Sequence, residues 1–192
     1  MGKPVNKTLI IDVESTCWED NNFRPAGQFN DIIEIGIALY DLKTLKIIEN
    51  DSIIVFPRSE ISSFCTKLTG HTEESVRRDG ILFEDALALL RSRYKSHKIS
   101  WMSWGDYDRR QFERQCKRED KRYPFSITHT NLKHWFAVCA GEDYECIIGT
   151  AIAKLAMNFE GTPHRGVDDA LNIARILTEI LIVTRGKNER SN

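Results

Sequence analysis

Two acids inside an apolar run, Leu9-Ile10-Ile11-Asp12-Val13-Glu14, constrain this chain more than any other feature. The β-branched stretch from Thr8 to Val13 reads as a buried strand. Side chains alternate along a strand, so Asp12 and Glu14 point to the same face. Two carboxylates side by side at the end of a buried strand repel each other and lose hydration. Bound cations would reverse that penalty. The ordinary alternative is a strand that ends at Val13 and leaves both acids in water.

Two further acidic groups sit at element ends. Trp104-Gly105-Asp106-Tyr107-Asp108 follows an apolar strand and opens a helix, and His164-Arg165-Gly166-Val167-Asp168-Asp169 opens the last helix. First-turn acids can do no more than satisfy free N–H groups and complement the helix dipole. The conjunction carries more than each part. A D-x-E pair, a second-site Asp and an H-x₄-D pair at three element ends supply oxygen ligands for hard divalent cations such as Mg²⁺ or Mn²⁺. Two such ions about 3.5–4 Å apart generate a hydroxide and stabilise a leaving oxygen in phosphodiester cleavage. An imidazole beside them can take the proton of the attacking water.

The rest of the chain supports a mixed α/β sheet with helices on its faces. Ile32 to Tyr40 and Lys46 to Phe56 read as strands joined by a hairpin at Asp41-Leu42-Lys43-Thr44, and Pro57 ends the second of them. Phe83, Ala86, Leu87, Leu89 and Leu90 recur at helical spacing. Ile99 to Trp104 reads as a fourth strand, Asp108 to Glu119 as an amphipathic helix, and Phe125 to Thr128 as a short fifth strand. Helices follow at 131–139, 147–157 and from Val167 to Leu181. No repeat or linker appears, so the expected organisation is a single domain over 1–185 with a mobile tail at 186–192.

Composition sets few limits. Of 192 residues, 41% are hydrophobic, enough for a substantial core, and the net charge of −1 announces no global basic field. No apolar run reaches the length of a membrane span, and no signal-peptide pattern is visible. Five scattered cysteines, none in a C-x-x-C pair, suit reduced thiols and point to the cytoplasm.

The motifs together resemble the DEDDh exonucleases, a branch of the ribonuclease H-like superfamily, and within it the Eri-type subgroup with its KapD-like bacterial members. The marks are Asp12-Val13-Glu14-Ser15-Thr16-Cys17-Trp18, Ile32-Ile33-Glu34-Ile35-Gly36, Phe64-Cys65-Thr66-Lys67-Leu68-Thr69-Gly70, and His164 through Ala174. The resemblance spans about residues 7 to 183. It implies a ribonuclease H-like mixed sheet of about five strands, the first three antiparallel, flanked by helices. It also implies 3′→5′ hydrolysis of single-stranded RNA or DNA ends to nucleoside 5′-monophosphates. Carried over by position, Asp12, Glu14 and Asp169 would hold one divalent ion, and Asp12 and Asp108 a second, with His164 as general base. Phe112 four residues on selects Asp108 over Asp106, and the spacing from His164 selects Asp169 over Asp168.

For substrate contacts the resemblance suggests Ser15 and Thr16 at the terminal sugar, Trp18, Phe64 and Leu68 against the last bases, and His71 in a loop touching the terminal base. His71 departs from the aliphatic residue usual there. Arg109, Arg110, Arg114, Lys117, Arg118, Lys121 and Arg122 form a basic run that carries phosphates or is simply a solvated helix face. Two other functions remain open at this point: a nucleic-acid-binding or regulatory protein of the same fold without turnover, and a phosphodiesterase for very short oligonucleotides.

Overall fold

The computed structural model describes residues 6–20 and 24–186. Three long strands come first: β1 (Lys7–Ser15), β2 (Ile32–Asp41) and β3 (Lys46–Phe56). Two short helices, α1 (Ser63–Thr69) and α2 (Glu73–Asp79), lead to β4 (Ile81–Leu82) and α3 (Phe83–Ser92). Then come β5 (Ser100–Ser103), α4 (Tyr107–Arg118), β6 (His129–Asn131), α5 (Leu132–Ala140), α6 (Ile148–Lys154) and the long α7 (Gly166–Arg185). The strands form one six-stranded sheet in the order β4-β3-β2-β1-β5-β6. β1, β2 and β3 pair antiparallel, while β5 lies parallel to β1, β6 to β5 and β4 to β3.

The mixed sheet with flanking helices is the fold the motifs imply, with one strand more than expected. Two details differ. The fifth strand expected at Phe125–Thr128 is not one: Phe125 turns into the core and stacks on Trp101 with ring centroids 4.3 Å apart, and pairing begins at His129. Phe-Ser-Ile-Thr alternates in sequence, but Ile127 is fully exposed, so only Phe125 anchors the segment to a buried face. The helices α1 and α2 went unread because each is only seven residues long, and their caps carry them instead. Ser62 accepts from the Cys65 N–H at the start of α1, and Thr72 with Ser75 closes a capping box on α2. Of the expected tail, Gly186 caps α7, and 187–192 lie outside the described residues.

Alternation along β1 sorts its side chains between two cores. Leu9, Ile11 and Val13 face α3 and α4, where Phe83, Leu87, Leu90, Phe112 and Phe125 pack with Trp101. Ile10 faces the other way, onto Ala170, Ile173, Ala174 and Leu177 of α7 and Leu132 of α5. Asp12 and Glu14 share the parity of Ile10, so they emerge on the α7 side.

The sheet admits α7 closely there. Asp12 is paired with Gly36 in the β1–β2 register. A methyl group added at Gly36 would come 1.8 Å from the Gly166 carbonyl oxygen, and one at Gly166 would lie 3.0 Å from the Gly36 nitrogen. Backbone on both sides leaves nothing that can give way. We expect Gly36→Ala to lower the unfolding free energy by about 3 kcal/mol or more, read as a lower urea midpoint. Gly149, in α6 with open space around its Cα, is the control: Gly149→Ala should be neutral or stabilising by up to ~1 kcal/mol.

Candidate active site

Four carboxylates converge where β1 ends against the first turns of α4 and α7. Asp12, Glu14 and Asp169 each offer an oxygen within 4.8 Å of the others. Asp108 joins from α4, where its Oδ1 accepts the Val13 N–H at 2.9 Å and so ties that helix to β1. Among the described residues no lysine or arginine forms an ion pair with any of the four. They line a cleft of about 700 Å³ together with Ser15, Cys17, Leu68, Trp104, Tyr107, Lys133, Ile147, Phe159 and His164.

Unpaired acids in this setting hold their protons strongly. Burial raises Asp12 well above the usual carboxylate range, with repulsion from Asp108, Asp169 and Glu14 adding to it. Burial also pushes Glu14 to about 8, helped by Asp169 and Glu34. Asp108 rises to about 7 through burial, against the opposing Val13 N–H. Asp169 rises to about 7 for the same reason, although it accepts the His164 N–H at 2.9 Å. Concentrated negative charge, oxygen-only donors and no protein counter-cation suit hard divalent ions.

Neighbouring acids separate cleanly. Asp168 turns away from the cluster, accepts the Thr162 N–H at 2.9 Å and packs against Gly161. Asp106 pairs with Arg109 at 3.1 Å and lies near His129. His164 is exposed at the cleft rim with φ +62°, a left-handed conformation unusual for a residue with a Cβ. Its backbone amide holds Asp169, which leaves the imidazole at the cleft.

Several expected substrate contacts lie elsewhere. Thr16 is wholly buried, and its polar groups are engaged internally. Its hydroxyl donates to the Phe29 carbonyl at 2.7 Å and accepts the Asp31 N–H at 2.8 Å, while its own amide donates to the Asp31 carbonyl. It shapes the turn after β1 and has no hydroxyl free for a sugar. His71 is also buried, because Thr69 and Gly70 end α1 by turning the chain inward. Its Nε2–H donates to Glu34 Oε2 at 2.6 Å, behind the cleft. Trp18 and Phe64 line a separate surface depression. Leu68 does line the cleft, and so does Ser15, whose hydroxyl is 2.6 Å from the Tyr107 hydroxyl. The basic run divides: Arg109, Arg118 and Lys121 are paired with Asp106, Asp31 and Glu84, whereas Arg110 and Arg114 form no ion pair among the described residues.

The residue that sequence reasoning left without a role is Glu34. Its side chain is wholly buried, yet four donors surround it: Ser52 (2.8 Å), His71 (2.6 Å), Arg165 Nε (3.2 Å) and the Val167 N–H (3.2 Å). Burial opposes its ionisation, but the His71 and Ser52 hydrogen bonds and the Arg165 charge hold it at about 2. Glu34 thus clamps the entry of α7 and places Asp169 and His164. A charge in the middle of Ile32-Ile33-Glu34-Ile35 was the available signal.

The comparisons with known proteins agree with this geometry. The family model described as RNase_T exonuclease matches residues 9–177. The chain is 31% identical to the 3′-5′ exoribonuclease 1 of Rattus norvegicus over 90% of its own length and 52% of that protein. It is 25% identical to the probable 3′-5′ exonuclease KapD of Bacillus subtilis, covering 89% of this chain and 82% of that one. The chain spans about half the length of the first of these relatives. Among solved structures, the nuclease domain of 3′hExo, a DEDDh family member bound to rAMP, superposes with a TM-score of 0.82 at 28% identity, covering 95% of this chain and 94% of that one.

Folding raises the proton affinity of all four acids, so the metal-free fold is most stable while they are protonated. That stability is lost as pH rises from about 4–5 through 7 and 8. In EDTA, the melting temperature should therefore fall by several degrees between pH 5.5 and 8.5, on a scale of roughly 2–4 °C per kcal/mol. Asp12→Asn should flatten the dependence, and Mn²⁺ should restore the wild-type melting temperature most at the high-pH end. A flat wild-type profile would refute this electrostatic account.

Proposed function

Because the chain belongs to the RNase_T exonuclease family, we propose that it removes nucleotides one at a time from the 3′ end of single-stranded RNA or DNA as nucleoside 5′-monophosphates. The observation that carries this is the meeting of Asp12, Glu14, Asp108 and Asp169 beside His164 in one cleft. Asp12, Glu14 and Asp169 would hold one Mg²⁺ or Mn²⁺ ion, and Asp12 with Asp108 a second. Such a pair lowers the pKa of water and stabilises charge on the phosphate and the leaving oxygen.

The chain's own residues supply the rest. His164 takes the proton of the attacking water as the new P–O bond forms and the bond from phosphorus to the 3′ oxygen of the penultimate nucleotide breaks. That oxygen leaves as an alkoxide and takes a proton from solvent water, His164 returns its own proton to solvent, and the terminal nucleotide carries the phosphate away at its 5′ position. The Asp169 hydrogen bond fixes the His164 backbone at the cleft rim, which keeps the imidazole close to the carboxylates. Leu68, Trp104, Ile147 and Phe159 give the cleft apolar walls that fit a nucleobase, and such contacts tolerate any sequence. Trp104 is held by its own Nε1–H, which donates to the Cys146 carbonyl at 2.9 Å. Ser15 and Tyr107 place hydroxyls where a terminal ribose would sit. The relatives named exoribonucleases make RNA the first substrate to test.

Among the described residues no helix is long and apolar enough to cross a membrane. We place the protein in the cytoplasm on the pattern of five scattered cysteines with no C-x-x-C pair.

The test is a gel assay on 5′-labelled single-stranded RNA and DNA with Mg²⁺ or Mn²⁺. A ladder shortening from the 3′ end is expected, and EDTA should abolish it. Asp12→Ala should cost at least about 1,000-fold in kcat, the equivalent of losing several kcal/mol of charge stabilisation. His164→Asn, chosen because Asn tolerates the left-handed backbone, should cost about 10²–10⁴-fold. An intact strand with folded wild-type protein and either metal would overturn the proposal.

A further inference from the structure

The catalytic cleft opens sideways into a second, shallower trough. Trp104, Tyr107 and Lys133 line both, and Arg110 and Arg114 form the far wall. The two arginines are four residues apart on α4 and so lie on one exposed face of that helix. Neither is paired with a carboxylate among the described residues. Arg114 donates to Gln111 Oε1 at 2.8 Å and lies 5.9 Å from the centre of the Tyr107 ring.

The acids in the trough have other partners. Asp106 is taken by Arg109, with Asn131 3.5 Å away, and Glu145 lies 3.3 Å from His134 Nδ1. Lys133 reaches Glu145 only at 3.8 Å, and its stem lies over Gly105 at the mouth of the cleft. Elsewhere on α4 the basic residues Arg109 and Arg118 are neutralised by neighbouring acids. Among the described residues of α4 without a carboxylate partner, Arg110 and Arg114 line the trough continuous with the carboxylate cluster, whereas Lys117 lines a separate depression.

We propose that this trough binds the backbone phosphates of the nucleotides upstream of the scissile bond, so that the protein favours strands several nucleotides long over dinucleotides. The inference rests on the exonuclease reading above. Polyanion chemistry fits it: a phosphodiester chain leaving an acidic, metal-binding cleft needs cations immediately outside it. Tyr107 sits at the junction, its hydroxyl on Ser15 in the cleft and its ring toward Arg114 in the trough.

The experiment compares the full chain with R110Q/R114Q on a 5′-fluorescein dinucleotide and a decanucleotide of the same 3′ sequence. Binding is read by anisotropy in EDTA and turnover with Mn²⁺. The double variant should bind the decamer about ten-fold more weakly and raise its KM similarly, with kcat retained. Its dinucleotide constants should move less than two-fold. The slope of log Kd against log salt for the decamer should fall by about 1 to 2, one phosphate contact per arginine. R110K/R114K should recover most of the decamer affinity.

Equal losses on both lengths, or no loss on either, with an unchanged melting temperature, would overturn the trough. Failure of the exonuclease reading looks different: wild-type protein would turn over neither strand, while the anisotropy comparison would still judge the trough.

Discussion

The close seating of α7 on β2 governs the site. Gly36 and Gly166 meet backbone to backbone, and one pleat away Glu34 accepts the Val167 amide and the Arg165 guanidinium. Without that contact Asp169 would stand too far from Asp12 and Glu14 to share an ion with them. A helix packed on a sheet through ordinary side chains keeps its axis about 10 Å away. Removing both Cβ atoms at the crossing lets the first turn of α7 drop onto the strand edge.

The same few residues show how environment divides identical chemistry. Glu14 and Glu34 face each other in the β1–β2 register and are both buried. Glu34 is surrounded by donors and stays ionised, whereas Glu14 faces three other acids and is pushed to about 8. The first is therefore a fixed structural anion and the second is poised to lose its proton to a cation. Asp31 is a structural tie: its oxygens accept the Arg58 and Ser59 amides and an Arg118 ion pair, which fastens the loop after β3 to the entry of β2 and to α4. Asp and Glu residues near the cleft are thus sorted by available donors as well as by position.

Around the carboxylates the cleft is assembled from distant segments. β1 and α4 bring the polar floor, α1 contributes Leu68, the loop before α6 contributes Ile147, and the stretch preceding α7 contributes Phe159 and Pro163. The chain belongs to the RNase_T exonuclease family and shares its fold with a DEDDh nuclease domain. The acids sit on strand and helix ends, while the apolar walls come mostly from loops and short helices.

Asp12 and Glu14 were legible from the sequence because they break a local rule, acids in an apolar strand, whereas Asp108 and Asp169 are first-turn acids that follow one and were singled out from Asp106 and Asp168 only by the family resemblance. The three antiparallel strands and α7 were legible too, since periods of two and 3.6 persist over many residues. Periodicity gave out for α1 and α2, which are too short to show a repeat, and misled at Phe125–Thr128, where four alternating residues are too few to specify a strand. It also could not say where His71 and Thr16 point. Both are polar and lie beside family motifs, yet Glu34 and Asp31 draw them inward, and those partners are 37 and 15 residues away. The sequence by itself determined which acids and which elements exist. Only the tertiary structure decided which acids are left without a cationic partner, because ion pairs and hydrogen bonds between residues far apart in the chain carry no local pattern.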